Sequence, residues 1–395
     1  MLSSILLVAA QTTVPPTVVP TEEIVVVGHR ATDALAACLS RQCPPAEDVE
    51  ASLQASVEMF SGGQYAKARH TLLRSIARNR RHAAQLPGPV SSLYATLATV
   101  AEHEGYQREW VSASRSNVQV LRKYMGEDNP STLVEEMGFA RDLVENGNVS
   151  TASGILTKVQ RLALNTGKKD LAAGATFRRA WLEMGSGNEK RAIQLMDEAV
   201  AIAGPANRAM ADLRAIFLAR IALRKGDAGA IDALAARLRQ SAVARPMLLS
   251  SRPVEDVNAP DGMISNGAAN GDIALADVGY WIRPDGRTAD AEILTPSGLG
   301  RWERAVLQQV RERRYIPLDV PSVHPGIYRI DRFTIRSTFN FVTGTRIAQR
   351  SGPATTHIVD LTETEAMSAA QKRRVAEAAT APAADQIAPV GSPMQ

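Results

Sequence analysis

Two cysteines, Cys38 and Cys43, stand five residues apart in AACLSRQCPP, the spacing in this chain that points most directly to a covalent bond. In an oxidising compartment thiols this close join in a disulfide, and in a reducing one they stay free. A metal reading lacks the second Cys or His pair that would complete a tetrahedral site. The six histidines, His29, His70, His82, His103, His324 and His357, are scattered along the chain. His103-Glu104-Gly105 lacks the second histidine of a zinc-protease helix, and no G-x-S-x-G or phosphate loop is present. Glu135-Glu136 and Glu303 have the chemistry of a general acid or base, but carboxylates on a helical surface are ordinarily solvated. The sequence therefore predicts no catalytic residue, no cofactor and no metal. An enzyme would need an Asp, Glu and His cluster that the fold itself assembles in a groove.

A second candidate is basic. Lys67, His70, Arg74, Arg78 and Arg81 recur every three or four residues, forming a stripe on one helix with Arg69 and Arg80 beside it, and no acidic residue occurs from 61 to 101. Such a stripe suits an anionic partner such as lipid headgroups, lipopolysaccharide or an acidic peptide, or equally a solvated outer face. A net charge of +4 over 395 residues gives no reason to expect nucleic acid.

The elements that would carry these residues show a period. Gly63, Gly105, Gly147, Gly187 and Gly226 each end one apolar run shortly before another, at spacings of 42, 42, 40 and 39. Seven residues before them stand Ser56, Ala98, Ala140, Ala180 and Ala219, and five after them Ala68, Trp110, Ala152, Ala192 and Ile231. Small side chains at fixed offsets let paired helices approach, so the period predicts five stacked helical hairpins over 51–245. Gly63-Gln64-Tyr65-Ala66-Lys67-Ala68, and more weakly Gly147 to Ala152, resemble the core of the tetratricopeptide (TPR) repeat, although the period is longer than about 34 residues. That resemblance implies an all-α solenoid whose concave face binds extended protein segments.

Beyond a Pro- and Gly-containing stretch at 246–271 the period changes to two. Val278, Tyr280 and Ile282 alternate with Gly279, Trp281 and Arg283 before the turn Pro284-Asp285-Gly286-Arg287. A second strand runs to Ile293-Leu294. Trp302, Val306 and Val310 then lie on one helical face within 300–314, and a third strand is expected between Ile327 and Val342. With Trp302-Glu303-Arg304 and Arg314-Tyr315-Ile316-Pro317, these pieces occur in the order found in a TonB-type C-terminal domain, which 272–345 resembles. The resemblance implies a small α+β domain of β-β-α-β order, periplasmic location and capture of an outer-membrane receptor segment. With three strands the open edge is expected on the third, at Tyr328, Ile330, Arg332, Thr334 and Arg336.

The N-terminus fits export. Residues 1–10 combine a short apolar run with small residues before Gln11, the pattern of a cleaved signal peptide. Residues 11–50 read as a Pro- and Thr-rich linker with an apolar arm, Ile24, Val25, Val26 and Val27, inside Glu22 to Arg30. This arm resembles the TonB-box segment of TonB-dependent receptors and is otherwise a β-prone spacer. Residues 346–395 read as a largely disordered tail. The sequence thus describes a multidomain, non-enzymatic, exported protein that binds receptor or envelope proteins, compatible with peripheral membrane contact and with a homodimer. Its alternatives are an active energy transducer and an envelope enzyme with its site in the solenoid groove.

Overall fold

The computed structural model describes residues 31–240, 245–257, 273–294, 298–336, 339–341, 344, 348–350 and 354–361. The expected signal peptide at 1–10, the arm Ile24 to Val27 and the tail beyond 361 lie outside them. The first body is helical: α1 (Ala31–Ser40), α2 (Pro45–Ser61), α3 (Tyr65–Asn79), α4 (Pro87–Glu104), α5 (Gln107–Met125), α6 (Pro130–Glu145), α7 (Val149–Asn165), α8 (Lys169–Gly185), α9 (Glu189–Ala203), α10 (Arg208–Arg224) and α11 (Ala230–Arg237). From α2 onward these form five antiparallel hairpins, a TPR-like solenoid.

The local chemistry of the hairpins repeats. Gly63, Gly105, Gly147, Gly187 and Gly226 all have φ between 71° and 100°, which a residue with a Cβ adopts only at a cost. The residue after each glycine donates its N–H to the carbonyl five residues earlier, as in Gln64 to Met59 at 2.8 Å and Asn148 to Leu143 at 2.7 Å. This bond caps the preceding helix in a Schellman arrangement and turns the chain back. The small residues flanking these turns are sealed inside: Ser56, Ala68, Ala152, Ala180 and Ala192 have no exposed surface.

Helix begins earlier than the sequence reading placed it. All of α1 and the first turns of α2 lie within 11–50, which composition marked as linker. Pro45 occupies the first turn of α2, where its missing N–H leaves nothing unpaired, so the Pro-Pro pair starts a helix there. Cys38 and Cys43 are joined in a disulfide, with Cα atoms 5.1 Å apart, across the turn between α1 and α2.

The second body is built on an antiparallel sheet. Its elements are β1 (Leu248–Ser250), β2 (Ile273–Ile282), β3 (Thr288–Ile293), α12 (Glu303–Arg311), β4 (Arg314–Tyr315), β5 (Ile327–Arg336), β6 (Phe339–Phe341), β7 (Ala348–Arg350) and β8 (Thr355–Asp360). The main sheet has the order β3-β2-β5-β8. Val306 and Val310 of α12, with Trp302 before it, cover one face over Ala276, Val278, Phe333 and Ile335. The third strand, β5, spans Ile327–Arg336. Two further expectations are corrected here. Part of the expected disordered tail forms β8, where Thr355 to Asp360 pair with Arg336 to Asp331 of β5 and His357 is buried. Finally, β5 is an interior strand: Arg332, Thr334 and Arg336 pair with Asp277, Leu275 and Ile273 on one side and with Val359, His357 and Thr355 on the other. The edge expected at Tyr328 to Arg336 is thus filled by the chain itself along Asp331 to Arg336.

Candidate functional site

The face of the sheet opposite α12 lies on the first hairpins of the solenoid, and its side chains are unusually polar for a buried surface. Arg332, 1% exposed, is central. Its Nε and Nη2 donate to the two Asp277 carboxylate oxygens at 2.6 and 2.7 Å, and its guanidinium also donates to the carbonyls of Phe60 and Ser61. Those carbonyls end α2, where the helix dipole is negative, and Phe60's also accepts from the Gly63 N–H at 2.9 Å. Burial disfavours the charge on Arg332, but Asp277 and Tyr65 together outweigh it and hold the pKa above its ordinary value.

Two residues further along β5, the Thr334 hydroxyl meets Tyr65 Oη at 3.2 Å and His103 Nδ1 at 2.8 Å. Tyr65 is the tyrosine of the repeat-like motif, so its ring belongs to the first hairpin while its hydroxyl belongs to the contact with the sheet. The His103 ring packs edge-on against Phe60, with centroids 5.0 Å apart. It is fully buried, and desolvation pushes its pKa down to about 3. Its Nε2 is among the buried side-chain atoms without a hydrogen-bond partner, as expected of a ring held neutral.

At the outer strand His357 accepts from Arg336 Nη2 at 2.8 Å through Nε2, and its Nδ1 lies 2.9 Å from Glu102 Oε1. Burial alone would raise the Glu102 carboxyl, but the His357 bond together with the fields of His357, His103 and Arg141 outweighs this and holds it below its ordinary range. Burial and the neighbouring Glu102 raise Glu145. Ligand atoms of Glu102, Glu145 and His357 all lie within 4.8 Å of one another, a donor set that has the composition of a divalent cation site. The hydrogen bonding opposes that use. A guanidinium only donates, so His357 Nε2 accepts, Nδ1 carries the proton, and the nitrogen facing the carboxylates has no free lone pair. The sequence reading left the histidines scattered; the fold brings His103 and His357 to a centroid distance of 5.7 Å. No spacing rule could have found a pair separated by so much chain.

The last hairpin holds the other end of the second body. Arg220 of α10 donates to the Leu249 and Leu248 carbonyls, each at 2.7 Å, and Arg314 lies 3.1 Å from Asp232 of α11. Within the second body, Tyr280 donates to Asp331 at 3.0 Å, and Arg313 pairs with the same carboxylate. All three side chains are buried, so this network fixes the sheet.

The remaining sequence candidates separate. Lys67, His70, Arg74 and Arg81 are exposed, but Arg78 turns inward to Asp48, with Nε to Oδ2 at 2.7 Å and Nη2 to Oδ1 at 2.6 Å. Arg69 is likewise engaged by Glu104 at 2.7 Å. The stripe therefore keeps four of its five members. Glu135 and Glu136 diverge, toward Asn117 and Arg122 respectively, and share no site. Of the edge candidates, Arg332, Thr334 and Arg336 all serve the contact with the solenoid. Ile330 packs against the core of the first hairpins, and Tyr328 lies 5.2 Å from Trp281, centroid to centroid.

Among the described residues the sheet ends on β3 and β8. A register shift between Gly279 and Trp281 and the acidic side chains Asp290 and Glu292 blunt β3, whose approach is further narrowed by the Arg287–Arg314 bridge. Among the described residues β8 pairs with β5 alone, leaving its outer backbone groups as a template. Its sequence, TTHIVD, holds four β-branched residues without apolar–polar alternation, a weak strand signal in a segment whose composition reads as tail.

No family model matches the chain, and none of the curated proteins matches it. Among solved structures, the nearly identical TPR-like repeats from a kinesin light chain of Podosopora anserina are 17% identical with a TM-score of 0.39, covering 45% of this chain and 86% of that one. BtubC (BKLC) from P. vanneervenii is 16% identical with a TM-score of 0.41, covering 52% and 86%. The apo form of RapI is 12% identical with a TM-score of 0.37, covering 52% and 71%.

Proposed function

We propose that this chain is a non-enzymatic protein-interaction scaffold that binds an extended segment of another protein by strand addition to β8. The observation that supports this reading is the strand order: β8 ends the sheet, carries β-branched residues and has a partner on one side only among the described residues. The residues of the TonB-like resemblance favour an exported protein that docks receptor or envelope segments, and the arm Ile24 to Val27 is a segment of suitable composition. Among the described residues no helix is long and apolar enough to cross a membrane.

Amide hydrogen exchange tests the reading. A synthetic peptide spanning residues 20–31 is added to the full chain carrying Val26→Pro, which removes a backbone donor from the arm in cis. Slowed exchange in Thr355 to Asp360 is expected, with no slowing when the peptide also carries the proline. Unchanged exchange in β8 at millimolar peptide would overturn strand addition. Mature protein recovered from a periplasmic fraction, with its N-terminus at Gln11, is the expected result for export, and an intact Met1 would contradict cleavage.

A further inference from the structure

The order of strands follows the order of hairpins. Leu275 of β2 lies at Gly63 of the first hairpin, β5 contacts Phe60, Tyr65 and His103 of the first and second, and His357 of β8 reaches Glu102 of the second and the cluster with Glu145 of the third. A strand added outside β8 sits about 4.8 Å further along the same direction. It therefore enters the space between β8 and the helices α6 and α8.

The side chains waiting there are charged and accessible. Arg141 lies 2.8 Å from Asp142 and 3.8 Å from Glu145. Arg178, on α8, is exposed, and its guanidinium reaches the Gly174 carbonyl at 3.1 Å and Met137 Sδ at 3.6 Å, with no carboxylate in contact among the described residues. On the opposite face of β8, Ile358 is 42% exposed. It is paired with Phe333, so it prolongs the core under α12 past the edge of the sheet.

Resting on the strand-addition reading, we propose that the slot between β8 and helices α6 and α8 selects an acidic, amphipathic extended segment of a partner protein. In this arrangement alternate residues of the segment place an apolar β-branched side chain beside Ile358 and a carboxylate against Arg178, next to Arg141. Neighbouring side chains of a strand point to opposite faces, so one short segment satisfies both.

The test uses three labelled ten-residue peptides of alternating valine and threonine that carry glutamate, glutamine or lysine at two central threonine positions. Their affinities for the full chain are compared by fluorescence anisotropy, with Arg178→Glu and Ile358→Thr variants alongside. The glutamate peptide is expected to bind roughly threefold to tenfold more tightly than the glutamine peptide, with lysine weakest. Arg178→Glu is expected to invert that order, and Ile358→Thr to weaken all three peptides. Equal binding of the three, unaltered in rank by Arg178→Glu, overturns the charge selection and leaves strand addition standing. Absence of binding by all three, or binding that survives a central proline, defeats the strand-addition reading and the selection with it.

Discussion

At the scale of single residues, the contact between the two bodies depends on polar groups that are costly to leave alone. Arg332→Met would take the guanidinium from the Asp277 carboxylate in a nearly dry site and remove a donor from the Phe60 and Ser61 carbonyls at the end of α2. Breaking a buried pair in this way costs about 3–5 kcal/mol, measurable by urea denaturation. The double variant Arg332→Met with Asp277→Asn is expected to recover part of the loss, since no uncompensated charge remains. His103 gives a pH signature. Its folded pKa of about 3 lies below the ordinary 6.5, because burial beside Arg332, Arg336 and His357, only partly countered by Glu102, excludes the proton. The unfolded chain binds that proton first as pH falls, so the stability contribution is intact above pH 6.5 and is lost progressively toward pH 3. Between pH 6.5 and pH 5 the loss is about 1–2 kcal/mol. His103→Gln should flatten this part of the curve; an unchanged slope would show that another group carries it.

At the scale of elements, the turn glycines are equivalent in backbone and unequal in surroundings. Gly147 has φ 77° with open space around it, whereas a Cβ on Gly105, at φ 86°, would meet Arg336 Nη1 at 2.1 Å. Gly147→Ala is expected to cost about 1–2 kcal/mol for the left-handed conformation alone. Gly105→Ala should cost more, because Arg336 must also leave His357, and thermal melts of the two variants decide it. Ala180→Leu should overpack the cluster of Met184, Leu195 and Phe217 and cost about 1–3 kcal/mol; an unshifted melting temperature would contradict that packing. The hairpins were legible because a left-handed turn admits few residues besides glycine and a close helix pair few besides Ala and Ser. β8 was not, because six residues without apolar–polar alternation carry little signal where the surrounding composition reads as tail. α1 and the start of α2 were hidden in the same way, by prolines that read as linker but sit where a helix accepts them.

At the scale of the whole molecule, the sequence divides into two bodies at 246–271, while the folded chain joins them at both ends of the solenoid. Nothing local announces that Thr334 will meet His103 or that Arg220 will hold the Leu248 and Leu249 carbonyls, since each bond links elements that are strangers in sequence. The apolar contacts are shared as well. Leu361, with Ile273, Leu275 and Ile330, packs into the core of the first hairpins, and Leu249 and Ile316 pack with Ile216, Ile231 and Leu234 of the last. Neither body buries these side chains by itself, so losing one exposes apolar surface on the other. The full chain is therefore expected to unfold in one cooperative transition, with far-ultraviolet circular dichroism and tryptophan fluorescence falling on a single curve. The tryptophans suit this comparison, because Trp110 and Trp181 report on the solenoid and Trp281 and Trp302 on the sheet. Arg332→Met should shift both signals together to lower urea. Two separated transitions in the wild-type chain, or a shift confined to the sheet tryptophans in the variant, would mean that the solenoid stands without the sheet.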